Sequence, residues 1–233
     1  ELVRSGWSAK ALHRLILLSA TWRQSSAPRN DAESIDADNR LLARYPLRRL
    51  DAEAIRDAML AVSGDLDNRQ GGPSVPTRRT DTGEVVPVTE ASGELRRSVY
   101  LQQRRTQLAS LLEVFDAPSI VATCTRRLPA TIPLQSLSLM NSDFVVSRAA
   151  RFAERLEREC PGTGDAATHT RISRAFVLAV GRPPDPQERE AAAEFLGTQP
   201  ARYPDRSAPE AAHRALADLC QMILASNAFL YVE

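Results

Sequence analysis

Arginine is the residue type that gives this 233-residue sequence most of its binding chemistry. All of its 30 basic residues except Lys10 are arginine, and a guanidinium group can hold a carboxylate, sulfate or phosphate through two parallel hydrogen bonds. Adjacent arginines occur five times, beginning at Arg48, Arg78, Arg96, Arg104 and Arg126. Two roles are open to them: pairing with the chain's 29 acidic residues or binding an anion.

The densest run of arginines lies between residues 96 and 127. Six arginines in this stretch accompany only two acidic residues, Glu113 and Asp116. The excess of positive charge predicts a site for an anion or a partner. Its candidate residues are Arg96, Arg97, Arg104, Arg126 and Arg127.

The histidines and cysteines do not form a recognisable catalytic or metal-binding motif. The three histidines fall on separate predicted helices, and no His-x-x-x-His pair is present. The three cysteines, at positions 124, 160 and 220, lack the C-x-x-C spacing of a zinc ribbon and the C-x-x-C-H spacing of a haem attachment site. We therefore expect no metal and no haem in this chain.

Two acidic segments offer oxygen ligands that calcium can use. DAESIDAD begins at Asp31 and DLDNRQGG at Asp65. Neither segment has the twelve-residue EF-hand pattern with its closing glutamate. We interpret both segments as solvated loops.

Composition indicates a globular protein without a strong overall field. The net charge is +1 and hydrophobic residues make up 43% of the chain, so nothing draws the whole molecule towards nucleic acid. The longest apolar run is far shorter than the roughly 20 residues of a membrane span. We expect no bound nucleic acid, no membrane span and one helical domain over residues 1–233.

Hydrophobic spacing predicts helices in the first third of the chain. Ser8–Ser25 has a wide apolar stripe with Ser8 as its N-cap, and residues 39–45, NRLLARY, fit a short helix. Asp51–Ser63 is a further helix, capped by Asp51 and ended by Gly64.

Helix signals continue through the last hundred residues. Pro133 suits the first position of a helix, and Ser142 suits the N-cap of the next. Asp185 and Ser207 each precede a proline and a glutamate in the pattern of a capping box. These signals predict a helical C-terminal half.

Between these regions the helical pattern stops. Residues 64–95 are rich in glycine, proline and threonine, and predict a long loop or insertion that is functional, mobile or partly stranded. Alternation over Arg97–Gln102 predicts a strand that pairs with VVPV near Val85. The predicted fold is therefore mainly α: a multi-helix domain with a small β element and one long central loop.

The segment VATCTRRLPATIPLQ, residues 121–135, looks like a crossover that delivers Pro133 to a helix start. We interpret Cys124, Thr131, Pro133 and Gln135 as a structural motif, with Cys124 as a buried thiol. The alternative reading is a ligand or partner site around Arg127.

Several long motifs resemble one family over nearly the whole chain. They include WSAKALHRLILLSATWRQSS, NRLLARYPLRRLDAEAIRDAMLAVSG, GGPSV, RRSVYL, FDAP, CTRRLPATIPLQSLSLMNSDFV, AVGRPPDPQE and NAFLYV. In them the chain resembles the C-terminal domain of unknown function in large planctomycete-type cytochrome c proteins.

The resemblance implies a cellular location and a domain organisation, and it implies no catalytic residues. It implies export to the periplasm or the exterior, a c-type haem in another domain, and upstream domains of the same polypeptide as partners. The sequence is then a fragment of a larger multidomain protein. If the protein is exported, Cys160 and Cys220 are the expected disulfide pair, because both lie on C-terminal helices.

Two classes of function follow. The first is a binding or assembly module, for which the family's setting implies a polyanion or polysaccharide as ligand. The second is part of a redox or hydrolytic enzyme whose active site is shared with an upstream domain. The wide apolar stripe of Ser8–Ser25 predicts a junction with such a domain, so that part of this surface is exposed or covered by a second copy.

Overall fold

Helices dominate the computed structural model, which describes residues 1–28, 30–88, 93–121, 124, 125, 127 and 130–232. The helices are α1 (Ala9–Leu17), α2 (Asn30–Glu33), α3 (Ala52–Ser63), α4 (Ser110–Val114), α5 (Pro133–Asn141), α6 (Asp143–Glu159), α7 (Asp165–Val180), α8 (Pro186–Thr198), α9 (Ala208–Leu224) and α10 (Asn227–Leu230). The strands are β1 (Arg48–Arg49), β2 (Thr77–Arg79), β3 (Val85–Pro87) and β4 (Tyr231–Val232). The predicted mainly α fold is confirmed.

The chain divides into two compact units. Unit 1 comprises Glu1–Arg49 and Tyr231–Glu233, and unit 2 comprises Leu50–Leu230. Within unit 1, β1 pairs antiparallel with β4, Arg48 opposite Val232 and Arg49 opposite Tyr231. The expectation of a single domain over 1–233 stays a prediction.

The core of unit 2 lies among α3, α6 and α9. Residues spaced by three or four positions on α6, among them Val145, Phe152 and Leu156, are fully buried because that spacing places them on one helix face. On α3, Ile55 and Met59 follow the same spacing and are equally buried. This helical core supports the loops that carry the candidate site.

Most predicted helix ends in unit 2 are confirmed. Asp185 and Ser207 form capping boxes with Glu188 and Glu210, and Pro133 occupies the first turn of α5. Ser142 occupies the N-cap position of α6, but its side chain makes no capping hydrogen bond.

The segment 64–95 contains a hairpin, so the partly stranded interpretation is confirmed. β2 pairs antiparallel with β3, with Arg78 opposite Val86. The predicted strand at Arg97–Gln102 is wrong, because Ser98–Tyr100 forms a 3₁₀ turn. Its predicted pairing with the segment near Val85 is wrong as well. The alternation in the sequence instead reflects a turn that buries Ser98 and Leu101 and leaves Val99 72% exposed.

Unit 1 has less helix than the sequence predicts. α1 begins after Ser8, as expected, but ends at Leu17 rather than near Ser25. The hydroxyl of Ser19 donates to the carbonyl of Ile16 and accepts from the N–H of Trp22, which competes with continued helix.

The predicted helix over residues 39–45 is wrong. The carboxylate of Asp36 accepts the N–H groups of Arg40 and Leu41 at 2.9 and 2.6 Å. The side-chain amide of Asn39 bonds both the N–H and the carbonyl of Arg44. These local side-chain bonds replace the main-chain bonds of a helix.

None of the helices in the described part of the chain is both long and apolar enough to cross a membrane. The cysteines at 124, 160 and 220 all lie in the described chain, and none forms a disulfide. The predicted Cys160–Cys220 disulfide is therefore absent.

Candidate functional site

A buried arginine on α3 organises the loops of unit 2. Arg56 is 2% exposed and donates to the carbonyls of Glu94 and Arg96 and to the hydroxyl of Ser98. Burial lowers the pKa of Arg56 to about 10, with the carboxylate of Asp57 opposing that effect. Arg56 therefore fixes the position of the chain on both sides of Arg96.

Arg96 holds the glycine-rich loop over residues 69–76. Its guanidinium donates to the carbonyls of Arg69, Gly71 and Pro73 and lies 3.8 Å from the centre of the Tyr100 ring. The hydroxyl of Tyr100 in turn accepts the N–H of Gly71. Consecutive residues with φ of +74° and +82° need glycine, which explains Gly71 and Gly72.

A cleft of about 420 Å³ lies at this loop, lined by residues 69–76 with Gly93 and Arg96. Arg96 itself is 7% exposed. Carbonyl groups of the loop point towards the guanidinium of Arg96. In a trans peptide the N–H of the next residue points opposite to the carbonyl, so these N–H groups point away from Arg96. The geometry therefore makes Arg96 a brace for the loop, and it does not turn the main-chain N–H groups inward to hold an anion.

The neighbouring predicted residues lie apart from this brace. Arg97 is exposed, and its Nε donates to Asp57 at 3.2 Å. The guanidinium of Arg104 is exposed and lies 3.5 Å from the side-chain oxygen of Gln107. The arginines at 96, 97 and 104 therefore have three different environments.

Arg127 binds a carboxylate of unit 2. Its two Nη atoms donate to the two oxygens of Glu53 at 2.7 and 3.0 Å, and Asp51 lies 3.8 Å away. Burial raises the pKa of Glu53, but the hydrogen bonds from Arg127, a main-chain hydrogen bond and the charge of Arg127 together lower the pKa by more, so the net direction is downward. Arg126 lies outside the described residues.

The predicted structural motif is placed differently at each of its residues. Cys124 is exposed, so the expectation of a buried thiol is wrong. Thr131 and Pro133 are also exposed. Gln135 is 6% exposed, and its amide donates to the carbonyls of Val114 and Ala130 at 3.0 Å. Gln135 thus ties the start of α5 to the end of α4.

The β2–β3 hairpin and the loop after Leu101 carry four arginines. The sequence did not predict that they form one group. Arg78, Arg79, Arg104 and Arg105 are all exposed, and we call them the hairpin arginine cluster. The adjacent-arginine pairs were the available signal for it. What the sequence lacked was the hydrogen bond from Arg79 to the carbonyl of Thr106, which connects the two pairs.

The histidines lie on three different helices, as predicted. His213 on α9 has its Nδ1 3.0 Å from a carboxylate oxygen of Glu157. His169 on α7 borders an open cavity that Arg189 and Glu190 also line. Within the described ranges, His, Cys, Asp and Glu side chains form no group of three or more that could hold a metal ion.

A second feature with functional implications is the surface of unit 1. Its described residues include none that is buried. Eleven of the described hydrophobic residues in its segment 1–49 are from 44% to 82% exposed, and we call them the N-terminal apolar surface. They are Val3, Trp7, Leu15, Ile16, Leu17, Leu18, Trp22, Ile35, Leu41, Leu42 and Leu47.

Part of the N-terminal apolar surface forms a cavity. Ile16, Trp22 and Leu42 line a space of about 280 Å³ together with Tyr45 and Pro46. Residues from α1 and from the segment before β1 thus share one apolar depression. The predicted exposure of apolar residues on the first helix is confirmed.

Comparison with known proteins gives one family. A family model described as a protein of unknown function (DUF1553), named PSD1, matches residues 1–196, well over half of the chain. Searches of curated proteins and of solved structures found no match. The chain belongs to the PSD1 family of proteins of unknown function.

Proposed function

We propose that this chain is a binding and assembly module of an exported protein that carries c-type haem in another domain. Its N-terminal apolar surface docks on a neighbouring domain of the same polypeptide. The resemblance to planctomycete-type cytochrome c proteins supports this setting, and the exposed surface of unit 1 supports the docking. The observation that carries the proposal is that none of the described residues of unit 1 is buried.

Energetics favour a covered state for this surface. Burial of one Leu, Ile or Val side chain contributes about 1.5–3 kcal/mol, and Leu15, Leu17 and Leu18 on or next to α1 are each at least half exposed. Covering these three and their neighbours would contribute an energy comparable with the 5–15 kcal/mol that stabilises a typical domain. Docking is therefore the arrangement that this surface favours.

Backbone conformation adds a second argument. Trp7 and Leu42 have φ of +62° and +56°, a region that costs a bulky residue about 1–3 kcal/mol and persists when surrounding contacts enforce it. Both side chains are more than half exposed in this chain. A docked neighbour supplies the contacts that would hold them.

Binding between the chain and the haem-bearing remainder of the polypeptide, supplied separately, tests the proposal. Size-exclusion chromatography with detection at the haem absorbance band measures the association. We expect co-elution with the wild-type chain and binding at least tenfold weaker for the double variant Leu15→Ser, Leu18→Ser, which loses two apolar contacts. The matched control is Val177→Ser, Met222→Ser, which removes two exposed hydrophobic residues from unit 2.

Two results would overturn the proposal. One is the absence of any co-elution with the wild-type chain. The other is an equal loss for both double variants, because that would show no special role for unit 1. Cell fractionation tests the export component: the intact protein should be found in the periplasmic or extracellular fraction, and a purely cytoplasmic protein contradicts it.

A further inference from the structure

A hydrogen bond joins two exposed segments of unit 2 that each carry a pair of arginines and are distant in sequence. Arg79 on β2 donates from Nη1 to the carbonyl of Gly83 at 2.8 Å and from Nη2 to the carbonyl of Thr106 at 3.2 Å. Arg104 and Arg105 directly precede Thr106. The side chain of Arg79 therefore brings the main chain that follows the loop pair beside β2.

Two hydrogen bonds from main-chain N–H groups fix the loop and the hairpin relative to each other and to α4. The N–H of Gln102 donates to the carbonyl of Val75 at 2.8 Å, which joins the loop to the segment before β2. The N–H of Val85 on β3 donates to the hydroxyl of Ser110 at the start of α4, also at 2.8 Å. The hairpin and the loop are thus attached to each other both before and after the hairpin arginine cluster.

Ion pairs with the described residues do not neutralise the positive charge of the hairpin arginine cluster. The hairpin and loop carry two carboxylates, Asp81 and Glu84, against four arginines. Among the described residues, no carboxylate lies within 4 Å of any guanidinium of the cluster, whereas elsewhere in unit 2 exposed arginines such as Arg127 and Arg151 have glutamate partners. An exposed group of guanidiniums without carboxylate partners attracts an anion with several charges.

We propose that the hairpin arginine cluster binds a sulfated polysaccharide. A guanidinium is permanently charged and weakly hydrated, and its fork matches the oxygens of a sulfate ester. Single-stranded nucleic acids also need aromatic rings on which bases stack. Tyr100, the aromatic residue nearest in sequence to the loop pair, already has the guanidinium of Arg96 over its ring at 3.8 Å. This inference rests on the proposed binding role and names its ligand, but it does not depend on docking through unit 1.

The test measures binding of dextran sulfate, with unsulfated dextran and a mixed-sequence single-stranded oligonucleotide as comparisons. The variant is the triple substitution Arg78→Gln, Arg104→Gln, Arg105→Gln, which keeps Arg79 because that side chain holds the loop in place. The control, Arg158→Gln, Arg189→Gln, Arg206→Gln, makes the same change in net charge at exposed positions on or beside the C-terminal helices. Circular dichroism of each variant checks that the fold is retained.

We expect the wild-type chain to bind dextran sulfate and not dextran, with an affinity that falls steeply with salt. The triple variant should bind about tenfold more weakly, and the control should bind like the wild type. Equal losses in the two triple variants, stronger binding of the oligonucleotide, or no binding at low salt would each overturn the assignment. Since these substitutions lie in unit 2, their outcome is separate from that of the docking experiment.

Discussion

At the scale of single residues, several arginines of unit 2 donate hydrogen bonds to main-chain carbonyl groups, besides those that pair with carboxylates. Arg96 serves three carbonyls of one loop. Arg155 serves those of Ala61 and Val62 at the end of α3, and Arg171 those of Cys160 and Gly162 after α6. A guanidinium has five N–H donors in a fixed plane, so one side chain can satisfy several carbonyls that a lysine could not reach together.

Replacing Arg96 with lysine tests this role. We expect Arg96→Lys to lower the free energy of unfolding by about 2 kcal/mol, because three part-buried hydrogen bonds from a charged donor to carbonyls of the loop are lost or weakened. Denaturant unfolding of the purified chain measures the change. Arg97→Lys is the matched control: Arg97 is exposed and pairs with Asp57, so its replacement should change stability by less than about 0.5 kcal/mol. Similar values for the two variants would contradict the brace.

The carboxylate of Glu188 links stability to pH. Hydrogen bonds from Arg182 hold the pKa of Glu188 below its usual value of 4.5. A carboxylate with a lowered pKa in the folded state contributes stability that is fully present above the unfolded pKa and is lost as the pH falls through the folded value. The free energy of unfolding should therefore decrease as the pH falls below about 4.5.

Glu188→Gln should make this acid-induced decrease smaller. The comparison uses unfolding curves measured at several pH values between neutral and strongly acidic. Glu190→Gln, a change of the same charge on the exposed side of α8, serves as the control. A decrease of the same size in Glu188→Gln and in the wild type would exclude a contribution from the pair with Arg182.

At the scale of elements, N-caps that look alike in the sequence differ in the structure. Asp185 accepts the N–H of Glu188 at 2.8 Å, whereas the hydroxyl of Ser142 is buried without a partner among the described residues. Asp185→Ala should therefore lower the free energy of unfolding by about 1 kcal/mol. Ser142→Ala should leave it unchanged or raise it slightly, because it removes an unsatisfied hydroxyl. Thermal unfolding of both variants checks this, and equal losses would contradict it.

Helices were predictable from the sequence where periodicity and terminal residues agreed. The helix that begins after Asp51 and ends before Gly64 is an example, since one face buries Ile55 and Met59 and Gly64 has a positive φ. The Arg97–Gln102 strand failed because a 3₁₀ turn can bury residues three apart while the sequence still alternates between polar and apolar. Alternation of polar and apolar residues over six positions therefore does not distinguish a strand from a 3₁₀ turn.

The candidate site was less predictable for a different reason. An excess of arginine indicated the region, but the partners of Arg96 are carbonyls about 25 residues earlier in the chain. Every residue has a carbonyl group, so the sequence does not show which carbonyls an arginine binds. An arginine that holds a loop therefore cannot be distinguished in the sequence from one that binds an anion. The link between Arg79 and Thr106 was hidden for the same reason.

At the scale of the whole molecule, the two units differ in how their residues are protected from solvent. Unit 2 buries Ile55, Phe152 and Leu224 completely, whereas the described residues of unit 1 include none that is buried. Regions with few buried contacts open at low free energy and exchange their amide hydrogens quickly. The chain should therefore show two populations of amides.

Hydrogen–deuterium exchange with mass spectrometry measures these populations. In the isolated chain we expect amides of α1 to exchange within seconds and those of α3 and α6 to be protected for hours. If the chain docks on a neighbouring domain as we propose, the same α1 amides should become protected in the protein that contains both domains. Protection of α1 in the isolated chain equal to that of α3 would show that unit 1 is stable without a neighbour.

The exposed thiol of Cys124 can serve as a site for attaching a spin label. Cys220 is completely buried, and burial raises its pKa well above the usual value, so it should react slowly with maleimides. In a Cys160→Ser background, a nitroxide spin label would then attach selectively at Cys124. If the protein carries the c-type haem that we propose in another domain, paramagnetic distance measurements from that label to the haem iron would locate the haem relative to this module without crystals.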